Sequence, residues 1–306
     1  MHASELQVPD RFRHEVLRRT PVAGAAWLAE LPGRCAELCR RWRLTISGPV
    51  AAGGTSMVVP VIMPAGRAAL KIIGPTIDAT TEATALQAFD GDGVVRLFEA
   101  DPTANALLLE WLPGPSLDSE PDPQAAVRIA GGLAARLGQT PAPAGIAGLD
   151  DGAEAWRHQL IEQHEAADQA GLAFPDDLFA QALQAVAELG RSRPRRLTHG
   201  DLSLDNVLSD GDGRWVAIDP LLVAGPVAHE VHTIVRSRLP EIGDTATLAE
   251  LTKEAARAAE VDHGWASRLS LARYVASAYW ESQNGGDPDN VRRLRTATLF
   301  SVRLIS

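Results

Sequence analysis

The spacing of apolar side chains changes twice along the chain. Near the N-terminus it follows the period of a helix and predicts helices over residues 10–19 and 24–41. Pro32 and Gly33 are expected to split the second helix, because proline removes a backbone donor and crowds the preceding turn. Short β-prone runs separated by turn-like segments follow and predict an antiparallel meander: 44–50, 56–63, 67–73, 94–100 and 105–110.

Helical spacing occurs again within and after the strands. One helix, over 78–90, is predicted between the third and fourth strands. The Pro- and Gly-containing segment 110–115 reads as a hinge, and the remaining predicted helices cover 123–139, 152–170, 175–191, 226–238, 243–260, 264–284 and 288–304. The pattern predicts an α+β protein with two lobes. Residues 1–112 are expected to form a small, antiparallel β-rich N-terminal lobe, and residues 113–306 a larger, mainly helical C-terminal lobe.

Composition narrows the function classes. The 306 residues carry a net charge of −10, which disfavours a nucleic-acid partner, and 45% are hydrophobic, as is usual for globular proteins. We find no apolar run near the roughly 20 residues that span a bilayer, and the N-terminus is polar, so we expect a cytoplasmic protein without a membrane partner. Cys35 and Cys39, without histidines at ligand spacing, fit a reducing compartment better than a zinc site.

The polar loop at 199–206 carries the strongest chemical signal. Asp201 and Asn206 lie five residues apart, as the Asp and Asn of a kinase catalytic loop do, and Asp219 ends a short strand after the next turn. Phosphoryl transfer needs one carboxylate to orient the attacking hydroxyl, and an amide with a second carboxylate to hold Mg²⁺ on the nucleotide phosphates. We therefore predict Asp201 as the catalytic base and the other two residues as metal ligands. The alternative is a polar turn that carries carboxylates by chance.

A lysine within an apolar strand supports this interpretation. Lys71 is costly to bury unless it is paired, and a kinase places such a lysine on the α and β phosphates with a glutamate partner from the following helix. Glu82, in the first turns of the predicted helix, is the expected partner. A lysine at a strand edge that extends its amine to water is the alternative.

Two further segments are candidates for nucleotide contacts. The small residues of the turn before the second predicted strand, Gly53, Gly54 and Ser56, could bring backbone N–H groups close to phosphate oxygens, although glycines also make ordinary hairpins. The hinge between Glu110 and Leu112 could offer backbone groups to an adenine ring.

With these residues considered together, the chain resembles the aminoglycoside phosphotransferase superfamily, and within it the streptomycin 6-phosphotransferase and hydroxyurea phosphotransferase-like family. The segments that carry the resemblance are 27–32, 58–61, 82–86, 91–97, 106–112, 199–201 and 217–220. The resemblance implies a protein-kinase-like fold and ATP or GTP with Mg²⁺ as cofactors. It also implies a hydroxyl acceptor on a small molecule, in the best-known members a streptomycin-type antibiotic, and hence a role in antibiotic resistance.

The sequence departs from the family around the acceptor. Ser203 and Asp205 stand where many members have other residues, and Glu230 follows a histidine where an aromatic–acid pair is expected. We name these three residues as candidate acceptor contacts, with a cationic acceptor left open and solvated helix surface as the alternative for Glu230. Two other functions also stay open: a kinase for another hydroxylated metabolite, such as a sugar, an amino sugar or a hydroxyurea-like molecule, and a non-catalytic nucleotide-binding module. The oligomeric state is not predicted.

Overall fold

The computed structural model describes residues 7–53, 55–193 and 195–304. Within them the chain divides into two compact units, and the first ends at Pro113 and the second begins at Gly114. The helices are α1 Asp10–Arg19, α2 Pro21–Arg41, α3 Ala79–Phe89, α4 Pro123–Leu137, α5 Ala153–Gln169, α6 Asp176–Leu189, α7 Glu230–Arg236, α8 Thr245–Ala258, α9 His263–Gln283 and α10 Pro288–Ser301. The strands are β1 Thr45–Ile46, β2 Ala51–Ala52, β3 Ser56–Met63, β4 Gly66–Ile73, β5 Leu97–Asp101, β6 Ala106–Glu110, β7 Arg196–Thr198, β8 Val207–Ser209, β9 Trp215–Ala217 and β10 Val223–Gly225. The predicted α+β class is confirmed.

The first unit is built on an antiparallel sheet. Its strand order is β1-β3-β4-β6-β5, and β2 pairs with the N-terminal end of β3. The central strand β4 is buried over its last six residues, which explains its nearly continuous apolar sequence. Helices α1 and α2 pack on this sheet in one core, in which Phe12 and Leu31 from the helices lie with Met57 and Leu70 from the strands.

Three local expectations for this unit are wrong. Helix α2 continues through Pro32, because its apolar face, including Leu28, Leu31 and Leu38, is held in the core and packing outweighs the cost of the proline. The predicted strand at 44–50 is reduced to β1, and Pro49 lies just beyond it, where a ladder donor would be needed. Part of the segment that we expected to be a turn forms β2.

The second unit is mainly helical. Helix α4 packs on α8, and α9 packs on α6 and α10. Two short antiparallel pairs, β7 with β10 and β8 with β9, lie among the helices and carry the loop at 199–206. None of the described helices combines the length and apolar content that crossing a membrane requires.

Candidate active site

The loop that contains Asp201 leaves β7 and returns to β8 through a short 3-10 turn, Leu204–Asn206. Its first bend depends on Gly200, which has a φ of +85°, and a Cβ at this position would lie 2.9 Å from the Leu221 Cβ. The backbone N–H of Leu221 donates to the His199 carbonyl at 2.8 Å. A glycine is therefore required here both by the backbone conformation and by the space available.

The imidazole of His199 connects the start of the loop at 199–206 to the residue before Asp219. Its Nε2–H donates to the Ile218 carbonyl at 2.8 Å, and its Nδ1 accepts from the Asp201 N–H at 3.3 Å. These two partners define the neutral tautomer with the proton on Nε2. The histidine is buried, so it fixes the residue before Asp219 relative to Asp201. Sequence analysis gave His199 no role, although its place directly before Gly-Asp was visible.

Asn206 lies against Asp201. The side-chain amide donates from Nδ2 to the Asp201 carbonyl at 2.9 Å and to its carboxylate Oδ2 at 3.4 Å. The backbone carbonyl of Asn206 accepts from the Ile218 N–H at 2.8 Å, and Asp219 follows with a φ of +60°, an uncommon conformation for a non-glycine residue. The structure thus holds Asp201, Asn206 and Asp219 in one backbone-linked cluster.

Glu230, the first residue of α7, has a different role from the one expected. Its side chain is buried, and its carboxylate accepts from the Gly200 N–H at 2.6 Å and from the Leu202 N–H at 3.4 Å. Burial acts to raise the pKa of this carboxyl, but the charges that His229 and His199 carry when protonated, the Gly200 N–H and the positive charge of Arg273 outweigh it, and the pKa is lowered. Both alternatives from the sequence, a contact to a cationic acceptor and a solvated helix surface, are therefore wrong: Glu230 holds the catalytic loop.

A buried layer lies behind Glu230. His229 Nε2 is 2.8 Å from the Thr198 hydroxyl, and Arg273 of α9 lies 3.4 Å from His229 Nδ1. Burial lowers the pKa of His229 to about 4, so the ring is neutral near pH 7. Burial also lowers the pKa of Arg273, while the negative charges of Glu230 and Asp201 act to raise it. Sequence analysis missed Arg273, which lies far along the chain in a helix without a motif.

A pocket of about 260 Å³ opens at Asp201, and we call it the Asp201 pocket. It is lined by Asp201, Ser203, Thr233, Arg236, Ser237, Leu239, Pro240, Asn290 and Arg293. Of the three acceptor candidates, Ser203 borders this pocket, whereas Asp205 is exposed elsewhere on the 3-10 turn. The surrounding protein partly desolvates the Asp205 carboxyl, and this effect and then the negative charge of Asp118 raise its pKa. The arginines from α7 and α10 were not predicted as pocket residues.

In the first unit, the predicted pairing of Lys71 with Glu82 is confirmed. Lys71 is buried in β4, and its Nζ lies 2.6 Å from Glu82 Oε2. Asn105, at a φ of +54°, orients the helix that carries the glutamate. Its Oδ1 accepts from the Ala79 N–H at 2.7 Å, and its two Nδ2 hydrogens are shared among the carbonyls of Ile73 at the end of β4, Gly74 and Ile77. The sequence signal for Asn105 was an asparagine in a turn between strands, which sequence analysis did not use.

The other predicted nucleotide contacts differ in their surroundings. Gly53 is exposed, and its N–H donates to the Ser56 carbonyl at 3.0 Å, while the side chain of Ser56 is buried. Gly54 lies outside the described residues. At the predicted hinge, the Glu110 N–H donates to the Arg96 carbonyl at 2.9 Å. That N–H therefore cannot serve an adenine ring, and Leu112 is buried.

The side chains present fit a magnesium ion carried by phosphates. In the described ranges, no three His, Cys, Asp or Glu side chains come together around a point that could hold a metal. Magnesium on a nucleotide needs only one or two protein oxygens, because phosphates and water supply the rest. Because Asn206 uses Nδ2 as a donor to Asp201, its Oδ1 is the atom that could bind the metal, and Asp219 could add a carboxylate.

The family model for aminoglycoside/hydroxyurea antibiotic resistance kinases matches residues 41–285. The chain belongs to this family. It is 34% identical to a streptomycin 6-kinase from Streptomyces glaucescens, over 93% of this chain and 94% of that protein. It is 36% identical to a hydroxyurea phosphotransferase from Kitasatospora aureofaciens, over 92% of this chain and 82% of that protein.

A solved structure is similar in fold to this kinase. An aminoglycoside phosphotransferase in a ternary complex with ADP and hygromycin B is similar, with a TM-score of 0.55, 14% identity, and coverage of 88% of this chain and 96% of that one. At this identity the likeness shows the shared fold, which confirms the predicted protein-kinase-like class. Membership of a kinase family also makes a nucleoside triphosphate the phosphoryl donor.

Proposed function

We propose that this kinase transfers the γ-phosphoryl group of ATP to a hydroxyl of a streptomycin-type aminoglycoside. The observation that carries the proposal is the linked cluster of Asp201, Asn206 and Asp219, in which hydrogen bonds of the His199 imidazole and the Asn206 amide tie the Asp201 backbone to Asn206 and to the residue before Asp219. The family and its streptomycin 6-kinase relative supply the substrate class.

Asp201 orients the acceptor in this mechanism. Its carboxylate accepts a hydrogen bond from the acceptor hydroxyl and aligns it for attack on the γ-phosphorus, while the Asn206 amide keeps the carboxylate in one orientation. Asn206 Oδ1 and the Asp219 carboxylate would hold Mg²⁺. That ion would neutralise charge on the phosphates. Most of the rate enhancement then comes from position and charge rather than from a strong base.

The unit that ends at Pro113 binds the nucleotide in this proposal, and the unit that begins at Gly114 binds the metal and acceptor. Lys71 contacts the α and β phosphates, and Glu82 keeps its amine in place at 2.6 Å. The backbone around Gly53 and near Leu112 is a secondary candidate for phosphate and adenine contacts. Either ATP or GTP satisfies these contacts, and we take ATP as the donor to test first.

A second candidate acceptor is a small neutral molecule. The chain is as similar to a hydroxyurea phosphotransferase as to the streptomycin 6-kinase, and the Asp201 pocket of about 260 Å³ is large enough for hydroxyurea. A non-catalytic binding module, the third alternative, is disfavoured because Lys71, Asp201, Asn206 and Asp219 are all present.

The test is a panel assay of ATP consumption with streptomycin, other aminoglycosides, hydroxyurea and simple sugars. We expect streptomycin to be phosphorylated and Asp201→Asn to lower kcat by about 10²- to 10⁴-fold with nearly unchanged nucleotide affinity. Asp212→Asn, an exposed aspartate in the nearby hairpin turn, is the matched control and keeps full activity. Lys71→Met should raise the KM for ATP. Full activity of Asp201→Asn, or no Mg²⁺-dependent nucleotide binding by calorimetry, contradicts the proposal.

A further inference from the structure

A second pocket lies beside the Asp201 pocket. It is a groove of about 400 Å³ between α5 and α9, lined by Trp156, Gln159, Gln163, Arg236, Ala276, Ser277, Trp280 and Glu281, and we call it the aromatic groove. Arg236 borders both pockets, so the two are neighbours around one side chain. Together they provide the space of a drug-sized ligand, which is far more than hydroxyurea fills.

The walls of the aromatic groove suit a ring with polar and cationic groups. On α5, Trp156 and Gln159 are three residues apart and share one helix face, and on α9, Ala276 and Trp280 are four apart. The small residues of α9 leave room for a ring, and Trp280, which is 53% exposed, lines the groove. Indole faces attract cations, and the glutamine amides suit hydroxyl groups.

One charged pair separates the two pockets. Glu281 lies 3.9 Å from Arg236, near the outer limit of an ion pair, and its side chain is only 17% exposed. At that distance the arginine satisfies the carboxylate poorly, so a ligand cation that approaches more closely can compete with it. In the Asp201 pocket, two arginines, Arg236 and Arg293, lie with the single carboxylate of Asp201. Among the residues that line the aromatic groove, Glu281 supplies the carboxylate and faces one arginine, so the groove is the better place for a ligand cation.

We propose that the aromatic groove is a second acceptor subsite, in which Trp280 and Glu281 bind a guanidinium or ammonium group of a multi-ring acceptor while its reacting hydroxyl lies at Asp201. This inference rests on the proposed function and specifies its acceptor as large and cationic. Trp280 and Glu281 are then specificity residues, because a small neutral acceptor reaches Asp201 without touching them.

The experiment measures steady-state kinetics and nucleotide-free binding with streptomycin and hydroxyurea as probes. Trp280→Ala and Glu281→Gln should each raise the streptomycin KM about tenfold and weaken its binding by calorimetry to the same extent, with kcat nearly unchanged. Neither change should alter the KM for hydroxyurea or ATP. Trp280→Phe keeps an aromatic face and should restore binding to within about twofold. Trp265→Ala, on the first turn of α9 and outside both pockets, is the control for losing an indole from this helix.

Two results separate this inference from the proposed function. If streptomycin is phosphorylated and both groove variants match Trp265→Ala, the subsite is refuted and the proposed function stands. If streptomycin binds in a manner that depends on Glu281 but is not phosphorylated, the subsite is supported and the proposed function fails. Absence of streptomycin binding to the wild-type protein refutes the subsite.

Discussion

Glu230 provides the sharpest test of how the catalytic loop is held. Its buried carboxylate accepts one short hydrogen bond, at 2.6 Å from the Gly200 N–H, and one long one, at 3.4 Å from the Leu202 N–H. A hydrogen bond to a charged group contributes about 1.5–3 kcal/mol, and the long bond contributes less. We expect Glu230→Ala to lower the free energy of unfolding by about 2–4 kcal/mol.

The same change should lower kcat. Without its carboxylate anchor the loop no longer fixes Asp201, and a misplacement of about 1 Å can cost up to 10²-fold in rate. Urea denaturation and streptomycin kinetics measure the two effects, and hydrogen exchange at the amides of residues 200 and 202 reports the lost anchor directly. Glu250→Ala, an exposed glutamate of α8, is the matched control.

The effect of Glu230 also depends on pH. Because the folded-state pKa is lowered, its stabilisation is present above the unfolded-state pKa and is lost as pH falls through the folded-state value. The difference in unfolding free energy between the wild type and Glu230→Ala should therefore be full at pH 7 and shrink toward acid pH. An alanine variant that equals Glu250→Ala in stability, exchange and kcat would refute the anchoring role.

Two further predictions concern this loop and the buried histidine behind it. Gly200→Ala should destabilise the protein by about 2 kcal/mol and lower kcat, because it puts a Cβ at a φ of +85° and 2.9 Å from a leucine Cβ; Gly243→Ala, with open space around its Cβ, should unfold like the wild type. His229 has its pKa lowered from 6.5 to about 4, so the unfolded chain binds the extra proton between these values and stability falls as pH drops through that window. We expect urea denaturation to give about 2 kcal/mol less stability at pH 5 than at pH 7.5, and a smaller difference in His229→Gln. An equal pH dependence in that variant would contradict the assignment.

The order of elements and the short-range chemistry were predictable from the sequence. The kinase-like spacing of Asp201 and Asn206 was visible because a loop places its ligands at fixed offsets. Lys71 and Glu82 could be paired because a lysine in a buried strand requires a nearby anion. In such cases, local geometry and the cost of burying a charge determine the contact.

The interpretation of Glu230 failed because its contacts depend on long-range packing. A glutamate at the start of a helix has the same sequence appearance whether it faces a substrate, water or the N–H groups of a loop thirty positions earlier. Arg273 and the arginines of the Asp201 pocket were missed for the same reason, since no spacing rule relates α7, α9 and α10 to the loop. Continuity of α2 through Pro32 was likewise decided by the core and not by local propensity.

The groups that brace the catalytic loop come after it in the polypeptide, since Glu230 begins α7 and Arg273 lies in α9. During synthesis, a nascent chain that has just emerged through residue 219 carries the three residues proposed for phosphoryl transfer without the carboxylate that secures the loop backbone. The protein can therefore become active only late in its synthesis. Chains truncated before α7 would be inactive although they contain Asp201, Asn206 and Asp219.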